Sequence, residues 1–403
     1  MDKAAINLPH ILMLHNRYQY AGGEDACTEI ETDLLRQAGH SVTLVESHND
    51  RIKQFSKIEQ LQLLISTAWN PQAYREMRSR LQGLRPDLLH VQNFFPLFSP
   101  SVHAAAQSLQ IPTVQHLRNF RLACLNSYLL RDGKVCEACL GRNPWRGIVY
   151  RCYRDSLPAS IGVWNLITFN RRRGTWLRDV DAFITPSQFA AEKLLQAGVP
   201  GDRLHIKPDA VADPLEGKSV LPLPEKPIFV FVGRLSQQKG VMTLLEAWRR
   251  LNQVEWQLDL VGEGDQSQTL RQFAQEKGLA NVHFRGQLPR SQVLEIMQSA
   301  TAVVVPSQSY ETFGRSVIEA FACGRAALVS NLGGLAELVK DDQTGFVISH
   351  IDVDAWVERL QWSGDRPLEM ARMGQQARQA YLQNYTPAIN YHHLMAIYQG
   401  VLA

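Results

Sequence analysis

The sequence predicts an α/β protein made of two doubly wound domains in tandem, and three observations support this prediction. The chain has 403 residues, which is more than one hydrophobic core usually serves. Short runs rich in Val, Ile and Leu alternate with helical stretches at βαβ spacing, once in each half. Between the halves, Asp209–Lys226 is dense in proline and charge, which is typical of a linker.

The first half contains five predicted strands, with amphipathic helices such as Glu24–Gln37 and Gln188–Ala197 between them. The strands are predicted at His10–Leu14, Ser41–Glu46, Asp87–Val91, Pro112–Leu117 and Asp181–Thr185. Together with its helices this half forms a predicted first domain over residues 1–210.

The second half repeats the same alternation over residues 211–386. Its strands are predicted at Pro227–Gly233, Trp256–Gly262, Ala302–Pro306 and Ala326–Ser330. Because these runs are apolar throughout, they predict parallel strands that are buried on both faces. We expect a cleft between the two domains, with ligands at the carboxyl ends of the strands.

Composition excludes several classes of protein. The net charge of +3 gives no support to a nucleic-acid partner. No apolar run approaches the ~20 residues of a membrane helix, and the N-terminus has no signal-peptide pattern. We therefore expect a cytoplasmic protein whose six cysteines do not form a disulfide framework.

Two loops that follow predicted strands carry candidate binding groups. Gly22–Gly23, just before the first helix, allows a ligand to approach the backbone closely. Arg234 and Lys239 follow the first strand of the second half and are bracketed by Gly233 and Gly240. Two cations at a helix start suit a diphosphate, although most Arg and Lys side chains are simply solvated surface charges.

The stretch YETFGRSVIEAFACG (Tyr310–Gly324) carries two glutamates around a predicted helix start near Arg315. Glu311 precedes the helix and Glu319 lies about one turn into it. Gly314 removes a side chain that would block a phosphate at the helix start. Alternatively, Glu311 caps the helix and Glu319 faces solvent, but the apolar neighbours of Glu319 predict that its charge needs a partner.

This stretch resembles the E-x7-E motif of the retaining GT-B glycosyltransferases of family 4, also grouped as glycosyl transferases group 1. The resemblance extends over nearly the whole chain, in matching order, through the Gly22–Gly23 loop, Thr185–Leu194, the Arg234/Lys239 pair and Ser330–Val339. It implies two Rossmann-like domains that face each other across a cleft, and a C-terminal helix (387–403) that crosses back to the first domain. It also implies transfer of a hexosyl group from a nucleotide sugar with retention at the anomeric carbon.

The resemblance further implies roles for individual residues. Arg234 and Lys239 would hold the donor diphosphate and stabilise the leaving group, Glu311 would bind the transferring sugar, and Glu319 the ribose. The remaining donor contacts would come from Gly22, Gly23, Gly233, Thr312, Phe313 and Gly314.

One loop departs from the family pattern. Members often read T-L-H-N-[FY]-R after the fourth strand, whereas this chain reads QHLRNFR, with Arg118 at the position of the histidine. Either His116 takes its role through a shifted loop or Arg118 contacts the sugar or a phosphate, and the register of Asn119 favours Arg118. Asn93 and Asn119 are the predicted residues on the acceptor side.

The chain offers positive charge where many transferases use a divalent metal. Its two D-x-D matches, Asp179–Asp181 and Asp352–Asp354, are interpreted as structural because one lies at a helix-to-strand junction and the other opens a helix. With Arg234 and Lys239 available, we expect transfer without a catalytic metal. Front-face attack assisted by the leaving phosphate is what the resemblance implies for retention.

A cysteine-rich insertion (118–153) interrupts the α/β alternation of the first domain. Its cysteines follow the spacing Cys124-x11-Cys136-x2-Cys139-x12-Cys152, which suits a tetrahedral structural zinc. Four free thiols, or a disulfide formed on purification, are the alternatives. The resemblance suggests contact of this insertion with the acceptor.

The following stretch, Ala159–Val180, combines Trp164, Phe169 and Trp176 with three consecutive arginines. It could form a peripheral membrane contact near a lipid-linked acceptor, although a core helix with a basic end is the favoured interpretation.

The expected donor is a UDP-hexose first and a GDP-hexose second. The expected acceptor is a saccharide or lipid-linked saccharide of polysaccharide or glycolipid biosynthesis. Two alternatives are a non-catalytic sugar-nucleotide binding protein and a sugar-nucleotide epimerase or phosphorylase on the same fold.

Overall fold

The computed structural model describes residues 8–19 and 22–403. The chain forms two compact units, and each contains one six-stranded parallel sheet. The first unit consists of the described residues up to Leu129, of Cys136–Ala210 and of Asn390–Ala403. The second unit consists of Leu130–Val135 and Val211–Ile389.

The sheet of the first unit has the strand order β2-β1-β3-β4-β7-β8, and all neighbouring strands are parallel. Its strands are β1 (Ile11–Arg17), β2 (Val42–His48), β3 (Leu88–Asn93), β4 (Thr113–His116), β7 (Ala182–Thr185) and β8 (Leu204–Ile206). The order around β1 is that of a flavodoxin-like sheet, in which the switch point lies between β1 and β3.

Helices connect these strands, as parallel pairing requires. They are α1 (Gly23–Gln37), α2 (Lys57–Ser66), α3 (Pro71–Leu84), α4 (Ser101–Gln107), α5 (Arg146–Val149), α6 (Leu157–Arg173), α7 (Thr175–Arg178) and α8 (Gln188–Gln196). Four of these eight helices, α2, α3, α6 and α8, carry a side-chain cap at the N-terminus. Ser187, for example, accepts a hydrogen bond from the backbone N of Ala190 (3.1 Å) at the start of α8.

The cysteine-rich segment between β4 and α6 is built mainly from turns. Apart from the short helix α5 it contains one two-stranded antiparallel hairpin, β5 (Leu130–Arg131) and β6 (Lys134–Val135). Buried apolar side chains such as Leu122 and Leu125 anchor the segment in the core of the first unit.

The sheet of the second unit has the strand order β11-β10-β9-β12-β13-β14, again parallel throughout. Its strands are β9 (Ile228–Val232), β10 (Gln257–Val261), β11 (Val282–Gly286), β12 (Ala302–Val305), β13 (Ala326–Ser330) and β14 (Gly345–Ile348). This is the usual Rossmann order, whose switch point lies between its first and fourth strands, here β9 and β12.

The helices of the second unit pack on both faces of this sheet. They are α9 (Val241–Leu251), α10 (Ser267–Glu276), α11 (Arg290–Gln298), α12 (Arg315–Ala322), α13 (Gly334–Leu338), α14 (Val353–Asp365) and α15 (Pro367–Asn384). The chain then enters α16 (Pro387–Leu402), which from Asn390 onward belongs to the first unit. Leu394 and Tyr398 of α16 are fully buried against Ile11 and Met13 of β1, as expected for a C-terminal helix that crosses back.

Both sheets are buried on both faces, which explains the apolar runs in the sequence. In β1, Leu12 and Leu14 point into one core cluster and Ile11 and Met13 into another. In the second unit, β12 alternates in the same way, with Val304 in one cluster and Val303 in another. The predicted fold class of two Rossmann-like α/β domains is confirmed.

Some element boundaries differ from the prediction. Strand β1 continues to Arg17, three residues beyond the predicted end, because Arg17 still pairs with His48 of β2. Strands β8, β11 and β14 were not predicted. At the sheet edge β11 alternates between partly buried and exposed residues, so it lacks the continuous apolar run that marks a central strand.

The predicted linker is packed rather than free. Val211 and Leu215 are buried, and the Arg325 guanidinium donates to the backbone carbonyls of Leu221 (2.9 Å) and Pro222 (3.2 Å). A segment without regular secondary structure is therefore held to the second unit by a buried side chain.

Both D-x-D matches make structural contacts. Asp352 accepts a hydrogen bond from the backbone N of Ala355 (3.1 Å) and caps α14. Asp181 accepts one from the backbone N of Thr113 (2.8 Å), and Asp179 pairs with Arg173. These carboxylates are occupied in joining helices and strands.

The stretch Ala159–Val180 is largely a core element. Trp176 packs on Phe94 in the hydrophobic core, and the Trp164 indole N–H donates to Asn143 Oδ1 (2.8 Å). Within the described parts of the chain, we find no helix with the length and apolar character needed to cross a bilayer.

Candidate active site

The switch point of the second sheet brings together the two sequence stretches that carry the candidate donor residues. Arg234 and Lys239 lie in the connection from β9 to α9, and Glu311 lies between β12 and α12. Because β9 and β12 are neighbours in the sheet, these connections leave the same edge side by side. Gly240 makes this possible, since a Cβ there would lie 1.9 Å from the carbonyl oxygen of Pro306.

Lys239 and Glu311 form an ion pair at this edge. Lys239 Nζ lies 2.5 Å from Glu311 Oε1, and the same oxygen accepts a hydrogen bond from Ser307 Oγ (2.7 Å). Burial opposes the charge of Glu311, but Lys239 and Ser307 outweigh it and hold the pKa of this carboxyl below its usual value. Arg234, five residues before Lys239, is exposed. The edge therefore presents an ionised carboxylate paired with a lysine, and the connection that carries this lysine also carries an exposed arginine.

Glu311 does not cap the helix that follows it. Helix α12 begins at Arg315 after Gly314, and no side chain caps that terminus. The carboxylate faces Lys239 instead, so the alternative in which Glu311 serves as a helix cap is wrong.

Gly314 has a structural reason to be glycine. Its φ is +152°, and a Cβ would lie 2.7 Å from Leu335 Cδ2 of α13. The glycine therefore lets the start of α12 pack against α13. Phe313 beside it is buried in the same core cluster, and Thr312 is partly exposed.

The Ser330–Val339 stretch, which carries part of the resemblance, lies directly against the Glu311 loop. The backbone N of Gly334 donates to the carbonyl oxygen of Glu311 (2.8 Å), and a Cβ on Gly333 would lie 2.5 Å from that same oxygen. These contacts fix the backbone that carries Glu311.

Glu319 is buried and has two cationic partners. Arg315 Nε donates to its Oε1 (3.0 Å), and Arg290 Nη1 lies 3.2 Å from the same oxygen. The alternative in which Glu319 faces solvent is wrong, and the prediction that its charge needs a partner is confirmed. Burial raises the pKa of Glu319, and Arg315 opposes that rise. Arg290 on α11 was missed because it is distant in sequence and lies on an ordinary amphipathic helix.

The switch point of the first sheet is shaped around Gly22. Gly22 is the N-cap of α1, and its backbone N donates to Asp25 Oδ2 (3.0 Å). Asp25 Oδ1 lies 2.7 Å from Nε2 of the buried His15, the residue after the predicted end of the first strand. Asp25 and His15 were missed because the sequence places one on a helix and the other beyond the predicted strand.

The predicted acceptor-side residues share one pocket in the first unit. The residues Asn93, His116, Arg118 and Asn119 line it with Tyr18 and Gln92. Asn119 Nδ2 donates to Glu24 Oε1 (2.8 Å), and the Tyr18 hydroxyl donates to Glu24 Oε2 (2.6 Å). Asn93 Nδ2 donates to the carbonyl oxygen of Asn16 (2.7 Å) and joins β1 to β3.

Arg118 and His116 differ in their surroundings. Arg118 is buried, donates through Nε to Asp209 Oδ1 (2.9 Å) and pairs with Gln92. His116 is stacked on His90, with ring centroids 5.8 Å apart, and burial holds its pKa well below the usual value, so its ring is neutral. Of the two candidates, Arg118 brings permanent positive charge to the pocket.

A buried charged cluster lies behind this pocket. Glu31 Oε1 lies 2.5 Å from Lys207 Nζ, and Glu31 Oε2 accepts from Gln92 Nε2 (2.5 Å). Burial opposes the charge of Glu31, but Lys207 and Arg118 outweigh it and hold its pKa well below the usual value. Lys207 Nζ also lies 3.2 Å from Asn390 Oδ1 of α16.

The same cluster contains a metal-like set of side chains. Among residues 8–19 and 22–403, Glu31, His90 and His116 are the one group of three potential ligand atoms within 4.8 Å of one another. Lys207 and Arg118 already supply positive charge to Glu31 there, so the set does not fit a divalent cation.

The four cysteines of the insertion lie in one region without converging. Cys124 is buried and the other three are partly buried. Burial, followed by the nearby thiols of Cys124 and Cys136, raises the pKa of Cys139. Across the described residues, no three cysteine Sγ atoms approach one another within 4.8 Å. The zinc prediction therefore depends on the sequence spacing.

Comparison with known proteins places this arrangement in a family. Residues 31–212 match the family model described as Glycosyltransferase Family 4, and residues 216–380 match Glycosyl transferases group 1. The chain thus carries a Glycosyltransferase Family 4 region followed by a Glycosyl transferases group 1 region. Both ends of the E-x7-E stretch fall within the second match.

Curated relatives of this chain are similar over part of their length. A glycogen synthase of Mycobacterium tuberculosis is 33% identical over 159 residues, which are 39% of this chain and 38% of the relative. The D-rhamnosyltransferase WbpZ of Pseudomonas aeruginosa is 30% identical over 39% of this chain and 41% of its own. An alpha-maltose-1-phosphate synthase of Mycolicibacterium smegmatis is 31% identical over 46% of this chain and 53% of its own. The chain thus spans about two-fifths to half the length of these relatives.

Solved structures match this chain over nearly its full length. Anabaena Alr3699/HepE in complex with UDP and glucose gives a TM-score of 0.68 at 18% identity, covering 96% of this chain and 99% of that one. A glycosyltransferase from Rickettsia africae gives a TM-score of 0.71 at 15% identity, covering 98% of this chain and 99% of that one. At these identities the likeness shows the fold, which is GT-B.

Proposed function

We propose that this glycosyltransferase moves a hexosyl group from a nucleoside diphosphate sugar to a saccharide or lipid-linked saccharide acceptor, with retention at the anomeric carbon. The observation that supports this most directly is the Lys239–Glu311 pair at the switch point of the second sheet. It combines a cation for a diphosphate with an ionised carboxylate for sugar hydroxyls, at the sheet edge where nucleotides bind in such folds.

In this proposal an acceptor hydroxyl attacks the anomeric carbon while the bond from that carbon to the diphosphate oxygen breaks. The proton of the hydroxyl passes to the leaving phosphate on the same face. Arg234 and Lys239 stabilise the charge that develops on the diphosphate, so no catalytic metal takes part. Glu311 accepts hydrogen bonds from the transferring sugar, and Glu319, once released by Arg290 and Arg315, accepts them from the ribose.

UDP is the first candidate for the donor nucleotide and GDP the second. The UDP and glucose bound by the structural neighbour HepE support UDP. On the acceptor side, the pocket lined by Asn93, Arg118 and Asn119 offers amide and guanidinium donors to sugar hydroxyls once these groups release their present protein partners. Polysaccharide, lipopolysaccharide or glycolipid assembly would use such a transfer.

The first experiment is a thermal shift measurement with UDP, GDP, ADP and NAD, each with and without a chelator. A nucleotide at about 100 times its Kd stabilises the native state by ~2.7 kcal/mol, which raises the melting temperature by a few degrees. We expect this shift with UDP or GDP, unchanged by chelator and reduced in Glu319→Ala.

The matched control is Glu358→Ala, which removes an exposed glutamate from helix α14 of the same unit. It should keep the full nucleotide shift. If no nucleoside diphosphate shifts the wild type, the proposed donor site is wrong.

Turnover separates a transferase from the alternatives. A non-catalytic sugar-nucleotide binding protein would give the thermal shift but release no nucleoside diphosphate from a UDP-hexose in the presence of saccharide acceptors. An epimerase would change the sugar without releasing the nucleotide. Release that depends on acceptor supports the transferase.

We also keep the structural zinc as a proposal for Cys124, Cys136, Cys139 and Cys152. A zinc site there would stabilise a segment that has little regular secondary structure of its own. Elemental analysis should find one zinc per chain, lost in Cys136→Ser but kept in Cys27→Ser, which removes a buried cysteine of α1. Absence of zinc from the wild type would refute the proposal.

A further inference from the structure

Helix α2 is a surface helix with an apolar face. Every residue of α2 is at least partly exposed. Ile58, Leu61 and Ile65 are 70%, 59% and 67% exposed, and their i, i+3, i+7 spacing places them on one side of the helix. Three large aliphatic side chains in water on one short helix face are a pattern that marks an interaction surface.

The neighbouring helix α6 also carries exposed aliphatic side chains. Leu64 of α2 packs on Gly162, where a Cβ would lie 3.1 Å from the Leu64 carbonyl oxygen, so the two helices are in close contact. Leu157 and Ile161, one turn apart at the start of α6, are also exposed. We call Ile58, Leu61, Ile65, Leu157 and Ile161 the α2–α6 surface.

Exposed basic side chains lie close in sequence to both parts of the α2–α6 surface. Three exposed cations precede or begin α2, and two more precede α6: Arg51, Lys53, Lys57, Arg151 and Arg154.

The acidic side chains in the same segments are fewer and partly engaged. Asp50 pairs with Lys53 (2.7 Å), and Glu59 accepts a hydrogen bond from the backbone N of Ser56 (2.7 Å) at the helix cap. Together with Asp155 they are three acids against five bases, so the flank has an excess of positive charge.

We propose that the α2–α6 surface docks the first unit on a bilayer that contains anionic lipid. The aliphatic side chains enter the boundary between headgroups and acyl chains, and the flanking Lys and Arg bind lipid phosphates. A row of aliphatic residues on the outside of a helix, with an excess of exposed Lys and Arg in the adjoining sequence, complements this partner in both hydrophobicity and charge. The inference is independent of the donor and acceptor, since it concerns a different face of the chain.

The test is flotation of the purified full chain with two kinds of vesicle. One contains phosphatidylcholine alone, and in the other roughly one lipid in three is the anionic phosphatidylglycerol. We expect the protein to float with the anionic vesicles and to remain largely unbound with the neutral ones. The variant Ile58→Ser/Leu61→Ser/Ile65→Ser should lose about tenfold or more of this binding. Lys53→Glu/Lys57→Glu should lose a similar amount and should remove the sensitivity to salt.

The matched control is Val254→Ser/Ile351→Ser, which removes two equally exposed apolar side chains from the second unit. It should float like the wild type. All variants should keep the wild-type melting temperature and UDP thermal shift, so a failure of docking is distinguishable from a failure of the donor site.

Three results would overturn the proposal. One is a wild type that floats with neither vesicle. Another is a serine triple variant that floats as well as the wild type. The third is a wild type that is dimeric by light scattering, does not float, and becomes monomeric in the triple variant, because the occupant of the surface would then be a second copy of the chain.

Discussion

Two lysine–glutamate pairs in this molecule have the same contact distance and opposite surroundings. In the first unit, Lys207 Nζ lies 2.5 Å from Glu31 Oε1, with side chains 0% and 3% exposed. In the second unit, Lys239 Nζ lies 2.5 Å from Glu311 Oε1, with side chains 30% and 20% exposed. The distance is therefore no guide to the role of either pair.

Burial and further partners distinguish them. Lys207 also donates to Asn390 of α16, Glu31 accepts from Gln92, and all of these side chains are buried. Lys239 and Glu311 lie at an open sheet edge beside the exposed Arg234, where a ligand can compete for each of them. The first pair is thus suited to holding together α1, the segment that follows β8, and α16. The second pair is suited to exchanging partners when a donor binds.

Removing Lys207 should produce the largest change. Lys207→Met leaves Glu31 buried without its closest cation, and breaking a buried pair in this way costs about 3–5 kcal/mol. The free energy of unfolding, from urea titration, measures the loss. Lys239→Met is the matched control and should change stability by less than about 1 kcal/mol because that pair is partly exposed.

The double variant Glu31→Gln/Lys207→Met sharpens this comparison. It removes both charges, so it should be less destabilised than Lys207→Met alone. A Lys207→Met protein as stable as the wild type would show that the two pairs do not differ in the way described.

Lys239 should show the reverse pattern in activity. Lys239→Met should lower the rate of nucleoside diphosphate release by about 10²–10³-fold, because a positioned charge on the leaving group contributes on that scale. The measurement is the rate at which UDP is released from a UDP-hexose, or GDP from a GDP-hexose. Lys340→Met, which removes a surface lysine of the same unit, should release at the wild-type rate. Equal rates for Lys239→Met and the wild type would remove Lys239 from the proposed mechanism.

Acid should destabilise the first unit through its buried histidines. Burial lowers the pKa of His90 to about 4, below the ~6.5 of an unfolded histidine. Between pH 6.5 and 4 the unfolded chain binds a proton that the folded chain does not, so stability falls as pH falls, by about 3 kcal/mol for this group.

Urea unfolding at several pH values measures how steeply the free energy of unfolding falls between pH 6.5 and 4; this is the slope. His90→Gln should reduce it, whereas His283→Gln, which removes an exposed histidine of β11, should leave it unchanged. A wild type whose stability is independent of pH between 6.5 and 4 would contradict the prediction.

The two sites also differ in how much of them could be predicted. The candidate donor residues lie within a few positions of strand ends, and Glu319 was marked by apolar neighbours, so local sequence patterns located them. Glu31, Lys207 and Asp209 lie on a helix and in an irregular segment, where a charged residue is usually solvated. Their meeting depends on strand order and on the return of α16, which no local pattern encodes.

The sequence by itself determined the two α/β units, their buried parallel strands and the positions of the strand-end loops. It could do so because apolar periodicity and glycine placement are local features, which determine the conformation of residues only a few positions away. Only the tertiary structure decided which charges are paired, that Arg290 and Arg315 share Glu319, and which of two equal lysine–glutamate contacts is sealed from water. Those outcomes depend on side chains brought together from elements up to 183 residues apart, as for Lys207 and Asn390, and on the water that packing excludes.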